Sequence, residues 1–157
     1  MTTIRVRATA AIRPRSTGHP GYSVSLPRTS EAIGEARALV RVVLGTWRLS
    51  ASVVDDAALL LSEMVTNAVL HGTGPTIRIT IDRPARDRVL LAVHDRAHGR
   101  VPQRRTPGPE DDSGRGLILL DALATRWGWE RWGTAQKPLG KRVWAELDAR
   151  PAVGPPS

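Results

Sequence analysis

The 157-residue sequence contains no cysteine, and only two of its 23 basic residues, Lys137 and Lys141, are lysines. The lack of cysteine excludes a disulfide framework, a thiolate metal site and a cysteine nucleophile. No apolar run approaches the roughly 20 residues needed to cross a bilayer, and the N-terminus lacks the apolar centre of a signal peptide. We therefore expect a soluble, cytoplasmic protein with no membrane partner.

Arginine carries nearly all of the net charge of +8. Four arginines lie near the N-terminus without an acidic neighbour: Arg5, Arg7, Arg13 and Arg15. Such a cluster attracts acidic proteins or nucleic acid nonspecifically. We favour a solvated tail, because no helix-turn-helix or RNA-binding aromatic motif accompanies the charge, and keep nucleic-acid association as a weaker alternative.

Hydrophobic periodicity predicts the remaining elements. Strands are indicated by "GYSVSLP", "TIRITIDR" and "RVLLAVHD", and by segments near residues 126–132 and 141–147. Apolar stripes predict one helix after the cap residues Thr29 and Ser30, a second from about Val53 to Leu70 with Asp55 and Asp56 in its first turn, and a third over residues 115–124. In the strand over residues 126–132, Trp127 and Trp129 would share one face, and we expect them to pack in the core; the alternative is an exposed Trp that anchors a partner.

The order of these elements predicts a two-layer α/β domain, with helices on one face of a mixed, mostly antiparallel sheet. Between the third strand and the third helix lies a stretch of some 17 residues, "RAHGRVPQRRTPGPEDD", with no apolar pattern. A loop of that length inside a compact domain is usually functional or disordered, and we interpret it as a lid. We divide the chain into a basic flexible arm (residues 1–20), one domain (residues 21–148) and a disordered tail (residues 149–157).

Three polar residues recur every fourth position on the otherwise apolar second helix: Glu63, Asn67 and His71. At 3.6 residues per turn they share one edge of that helix. An Asn amide oxygen can complete the shell of a Mg²⁺ held by nucleotide phosphates, and a Glu one turn away can accept a proton from an attacking hydroxyl. The alternative for these three residues is a solvated helix edge.

Two shorter pieces add to this pattern. Asp95 ends an apolar strand, where its carboxylate could accept a hydrogen bond from an exocyclic amine such as that of adenine; the alternative is a turn residue. Gly114 and Gly116 flank Arg115 where the loop becomes a helix, so backbone N–H groups could face a phosphate; the alternative is a simple turn. His19, His94 and His98 show no metal-ligand spacing, and Ser113 lacks the partners of a hydrolase triad.

The joint order of "SEMVTNAVLHG", "VHDRAHG" and "SGRGLILL" resembles the N, G1 and G2 boxes of the Bergerat-fold ATPases, the superfamily of gyrase-type ATPases and histidine kinases. Within that superfamily the sequence is most similar to the anti-sigma-factor serine/threonine kinases and their regulatory relatives. The resemblance covers about residues 21–148 and implies a two-layer sandwich with an ATP lid.

The resemblance also implies a role for each matching position. It makes Glu63 the catalytic base, Asn67 the Mg²⁺ ligand and Asp95 the group that recognises the adenine amine of ATP. The remaining positions that it places around the nucleotide or its lid are His71, Ala97, Gly99, Gly114, Arg115 and Gly116. In two places the sequence departs from the pattern: Ala97 replaces the first glycine of the G1 box, and "GKRVWAEL" offers Lys141 and Arg142 where the family often has Thr.

Two functions remain open from the sequence. The first is an ATP-dependent serine/threonine kinase that phosphorylates an anti-sigma antagonist protein and binds a sigma factor. The second is a non-catalytic module of the same fold that sequesters a sigma factor or another protein. Retention of Glu63 favours the kinase, whereas Ala97 and Arg142 favour the binding module. A homodimer is a further expectation from the resemblance.

Overall fold

The structure is a computed structural model that describes residues 4–6, 10–96, 113–134 and 136–149. Within these residues the chain forms seven strands and three helices. In chain order they are β1 (Ile4–Val6), β2 (Ala10–Pro14), β3 (Gly21–Pro27), α1 (Glu31–Thr46), α2 (Ala51–His71), β4 (Thr76–Ala85), β5 (Arg88–Arg96), α3 (Ser113–Leu123), β6 (Arg126–Gly133) and β7 (Pro138–Asp148).

The strands form one sheet in the order β1-β2-β3-β4-β5-β7-β6. Every strand pair among the described residues is antiparallel. The two-layer α/β prediction is confirmed, although the mixed sheet that we expected has no parallel pair in this part of the chain. Hairpins account for part of this, since β4 and β5 turn at Ala85 and Arg88 and β6 and β7 form another, while β3–β4 and β5–β7 pair antiparallel across intervening helices.

One face of the sheet carries the core. Strand alternation directs Ile77, Ile79 and Ile81 of β4 to the helical side, and all three are at most 1% exposed. α2 packs on β5 and β7, α1 packs on α2, and α3 lies beside α2 and β6. The helices therefore all cover the same face, and α2 lies between α1 and α3.

α2 begins two residues before the predicted start. Ser50 is its N-cap residue, and the Ser50 hydroxyl accepts a hydrogen bond from the Val53 backbone N–H at 3.4 Å. Asp55 and Asp56 therefore lie beyond the first turn, and our placement of these acids at the helix N-terminus was wrong. The helix starts after Ser50 and not beside the acidic pair, because the Ser50 side chain accepts a hydrogen bond from a backbone N–H that would otherwise have no partner.

Part of the expected N-terminal arm belongs to the sheet. Arg13 and Pro14 of β2 pair with Ser23 and Tyr22 of β3, and Ile12 is completely buried in the core. A flexible arm is therefore wrong for this stretch. The strand escaped prediction because it is short, is rich in charge nearby and ends in a proline, which is tolerated here because β1 pairs with β2 only over residues 10–12.

The tryptophans of the β6–β7 hairpin have different environments. Trp127 packs against the core and donates from its indole nitrogen to the Asp121 carboxylate at 2.6 Å, whereas Trp129 is 41% exposed with the Arg131 guanidinium 6.0 Å from its ring. Core packing is thus confirmed for Trp127 and wrong for Trp129. Trp144 lies on the opposite sheet face, where its ring covers Gly128.

Candidate functional site

The polar edge of α2 keeps its side chains available. Glu63 and Asn67 are half-buried, and His71 is the exposed last residue of the helix. Within the described part of the chain, no hydrogen bond or ion pair engages any of these three side chains. Their neighbours on the helix, including Met64, Val65 and Ala68, are buried, so the edge borders the core rather than lying on a fully solvated face.

Asp95 lies at the end of β5 beside the C-terminus of α2 and is only 4% exposed. Its Oδ1 accepts a hydrogen bond from the Lys141 backbone N–H at 3.2 Å. Burial raises the pKa of Asp95, while the nearby positive charges of Lys141 and Arg28 act in the opposite direction. A buried carboxylate with one oxygen engaged can still accept from a ligand amine through the second oxygen.

Gly72 makes the close approach between α2 and Asp95 possible. A Cβ added to Gly72 would meet the Ala68 carbonyl and would lie 2.8 Å from Asp95 Oδ2. The Gly72 backbone N–H also donates to the Ala68 carbonyl at 2.9 Å, which closes the last turn of the helix. Residue 72 adopts a φ of −74°, which any residue can adopt. Glycine is therefore required at this position by the lack of space for a side chain and not by the backbone conformation.

Arg28 is a residue of this region that the sequence did not indicate. Its Nη1 donates to the Val69 carbonyl at 2.7 Å, and its Nε donates to the Gly74 carbonyl at 2.6 Å. It thereby caps the C-terminus of α2 with a cation, which also suits the helix dipole. No local sequence pattern could have identified Arg28, because only the pairing of β3 with β4 brings it to the end of α2.

The two basic residues on β7 lie on different faces of the sheet. Lys141 pairs with Asp95 and shares its helical side, whereas Arg142 pairs with His94 on the outer face and contacts the Glu130 carboxylate at 2.9 Å. Of these two residues, only Lys141 therefore lies beside Asp95. The strand period of two decides this, because adjacent residues point to opposite faces.

The predicted glycine boxes are described only in part. Ala97 and Gly99, together with residues 97–112 of the expected lid, lie outside the described residues, while Arg96 ends β5. Gly114, Arg115 and Gly116 fall in the first turn of α3, which begins at Ser113. The first N–H groups of a helix have no partner within it, so a role for this turn at a phosphate stays a prediction.

The residues present fit a magnesium ion held jointly with a ligand. Among the described residues, no group of three His, Asp or Glu side chains could hold a metal ion. The unengaged amide of Asn67 supplies one hard oxygen ligand, and nucleotide phosphates supply others in sites of this kind. Asn67 and His71 thus remain candidates for contact with the nucleotide.

Comparison with known proteins identifies the class of this domain. The sequence profile of the histidine kinase-like ATPase domain matches residues 26–146, from the end of β3 to β7. The chain therefore belongs to the histidine kinase-like ATPase domain family, and membership implies that it binds ATP. The match includes α2, Asp95 and α3, which carry all of the candidate site.

One relative has been found in an actinobacterium. The chain is 42% identical over 79 residues to the uncharacterized protein SCO4941 of Streptomyces coelicolor, across 46% of this chain and 71% of that protein. This similarity is consistent with the family assignment, but it indicates neither an activity nor a partner for the chain. Separately, none of the helices in the described residues is both long and apolar enough to cross a membrane.

Proposed function

We propose that this ATP-binding domain is a serine/threonine protein kinase of the anti-sigma-factor type, which phosphorylates an antagonist protein and binds a sigma factor. The observation that carries the proposal is the shared open edge of α2. Glu63 and Asn67 lie one helical turn apart, without a partner among the described residues, on the helix that ends beside Asp95. Base, metal ligand and adenine acceptor thus follow one another along a single helix and its neighbouring strand.

Each group has a task in phosphoryl transfer. The Asp95 carboxylate accepts a hydrogen bond from the adenine amine and sets the orientation of the nucleotide. The Glu63 carboxylate takes the proton of the substrate hydroxyl as the new P–O bond forms and the bond to the leaving diphosphate breaks. A magnesium ion bound at the Asn67 amide oxygen would supply neutralisation of the phosphate charge.

A non-catalytic module that sequesters its protein partner is the second candidate. The sequence feature in its favour is Ala97, which replaces the first glycine of the G1 box. A module that binds without turnover needs only the surface around the site and not the base.

Nucleotide binding and transfer distinguish these candidates. Titration calorimetry with ATP and Mg²⁺ should show binding by the parent, and Asn67→Ala should weaken it by about 1.5–3 kcal/mol through loss of a charge-assisted contact. Val42→Ala, an exposed position on α1, serves as the control. Radiolabelled ATP with co-purifying proteins then tests transfer: phosphorylated partner supports the kinase, and ATP binding with partner capture but no transfer supports the sequestering module.

A further inference from the structure

A second cleft lies at the opposite end of the sheet from Asp95. It has a volume of about 720 Å³ and is lined by Gly18, His19, Pro20, Trp47, Arg48, Arg83, Pro84, Ala85 and Arg86. Along β4, eight residues separate Ala85 from Ile77, the partner of Asp95, which corresponds to about 26 Å at 3.3 Å per residue. The cleft is therefore a separate feature that the nucleotide site does not explain.

The lining of this distal cleft is strongly basic. Three of its nine residues are arginines, one is histidine and none is acidic. Arg48 and Arg86 are exposed, and no hydrogen bond or ion pair from a described residue engages their guanidinium groups. Some other arginines of the described chain have acidic partners, as Arg41 has in Asp55 at 2.9 Å, whereas Arg28 and Arg37 donate to neutral oxygens. The cleft has no acidic residue in its lining, although the nearby Asp82 carboxylate interacts with His19, and its two unengaged arginines make it complementary to an anionic ligand.

Arg83 has a structural role in the cleft, because its guanidinium group is already engaged by backbone carbonyls. Its Nη2 donates to the Arg86 carbonyl at 2.8 Å, and its Nη1 donates to the Trp47 carbonyl at 3.4 Å. These bonds tie the β4–β5 turn to the end of α1. They hold Arg86 on one wall and the half-buried Trp47 ring on the other, where Trp47 also contacts Tyr22 with ring centroids 6.2 Å apart.

Arg48 occupies a backbone conformation that favours glycine. Its φ is +57°, and it follows the C-cap Trp47 in a Schellman arrangement, with the Arg48 N–H donating to Gly45 and the Leu49 N–H donating to Leu44. Glycine usually fills this position, because a side chain disfavours the left-handed conformation. An arginine here sacrifices stability while placing a cation at the mouth of the cleft.

We propose that the distal cleft binds an acidic peptide segment of a protein partner. The Arg48 and Arg86 guanidinium forks would pair with its carboxylates, and the Trp47 ring would pack against an apolar side chain between them. A peptide fits better than a small phosphate anion, because the cleft is open, the two available cations are exposed side chains on different elements, and an aromatic ring belongs to the same lining. The inference does not rest on the proposed kinase activity.

Fluorescence anisotropy tests the proposal with the full chain in the absence of ATP and Mg²⁺, so that failure of the nucleotide site cannot affect it. The probe is a fluorescein-labelled peptide Glu-Glu-Leu-Asp-Glu-Leu, compared with the same peptide carrying Gln and Asn in place of the acids. Arg48→Gly and Arg86→Gln should each weaken binding of the acidic peptide by about threefold or more, and the double variant by about tenfold. Arg48→Gly relieves the backbone strain, so a loss of binding cannot be attributed to a folding defect.

The matched control is Arg78→Gln, which removes an exposed arginine on the outer sheet face near the other end of β4. It should change the affinity by less than about twofold. Equal losses in Arg48→Gly and Arg78→Gln would show nonspecific charge attraction and overturn the proposal. Equal affinity for the amide peptide, displacement of the acidic peptide by 10 mM inorganic phosphate, or tighter binding of a short oligonucleotide at the same residues would also overturn it.

Discussion

Gly72 and Asp95 approach each other so closely that a methyl group on Gly72 would lie 2.8 Å from the Asp95 carboxylate. The contact joins the last turn of α2, which carries Asn67 and His71, to the strand end that carries the proposed adenine acceptor. Because Gly72 has no side chain, the end of α2 can lie this close to Asp95 on β5, and the contact fixes the distance between the two elements.

We expect Gly72→Ala to disturb both the fold and the site. The new methyl group would force the Ala68 carbonyl or Asp95 to move, which should cost about 1–3 kcal/mol in free energy of unfolding and reduce ATP affinity. Urea unfolding and titration calorimetry measure the two effects. Gly34→Ala on α1 is the control, since its added methyl meets nothing within 4 Å and should stabilise the helix by about 0.5–1 kcal/mol. Unchanged ATP affinity in Gly72→Ala would argue against a site at this contact.

Asp95→Asn should separate stability from binding. The pKa of Asp95 is raised in the folded state because burial disfavours the charged form, so its stabilising contribution is present at low pH and is lost as pH rises through the folded-state pKa. The Asn amide can still accept from the Lys141 N–H without a buried charge. The variant should therefore gain stability over the parent as pH rises above about 4, the ordinary pKa of an aspartate, while losing adenine selectivity over guanine. A stability loss at pH 7 with full ATP affinity would contradict both expectations.

Arg28 should matter to the site through the end of α2. Arg28→Met keeps much of the side-chain volume but leaves the Val69 and Gly74 carbonyls without their cationic donor, which should cost about 1.5–3 kcal/mol in urea unfolding. ATP affinity should fall as well, because the position of Gly72 against Asp95 depends on this turn. Arg28→Lys should recover part of the stability through the helix dipole. If Arg28→Met unfolds at the same urea concentration as the parent, the cap has no energetic role.

The sequence predicted the layers and the polar edge of the site but not the tertiary contacts around it. Spacing alone placed Glu63, Asn67 and His71 on one edge, because a helix has a fixed period. The end of the apolar run "RVLLAVHD" likewise marked Asp95 as a candidate, and the structure places it on the helical face. Arg28 could not be found in this way, since its partners lie 41 and 46 residues away along the chain. β2 was missed for a related reason: its burial comes from pairing with β3 rather than from its own composition.

His94 should give the protein a loss of stability in acid. It lies between Arg78 and Arg142 in a row across the outer sheet face, and burial together with these two cations lowers its pKa to about 4. Because the unfolded chain binds the proton more readily, the contribution of His94 is full above pH 6.5 and is lost as pH falls toward 4. His94→Gln should flatten this decline by about 1–3 kcal/mol, after allowance for partial exposure. The pH profile should be measured in the Asp95→Asn background, since Asp95 has the opposite slope. Identical profiles with and without His94 would refute the assignment.

Glu63→Gln distinguishes a kinase from a sequestering module. In phosphoryl transfer, positioning and charge neutralisation supply most of the rate, and a carboxylate receives the hydroxyl proton. Glu63 lies one turn before Asn67 on the same edge and has no partner among the described residues, so removing its charge should leave the fold and ATP affinity nearly unchanged. Loss of a general base usually costs about 10²–10⁴ in rate, and we expect phosphate transfer to the antagonist protein to slow at least about a hundredfold. Asn67→Ala, by contrast, should lose binding and transfer together. Single-turnover transfer from radiolabelled ATP, measured at saturating nucleotide, separates the two effects; undiminished transfer by Glu63→Gln would eliminate Glu63 as the base.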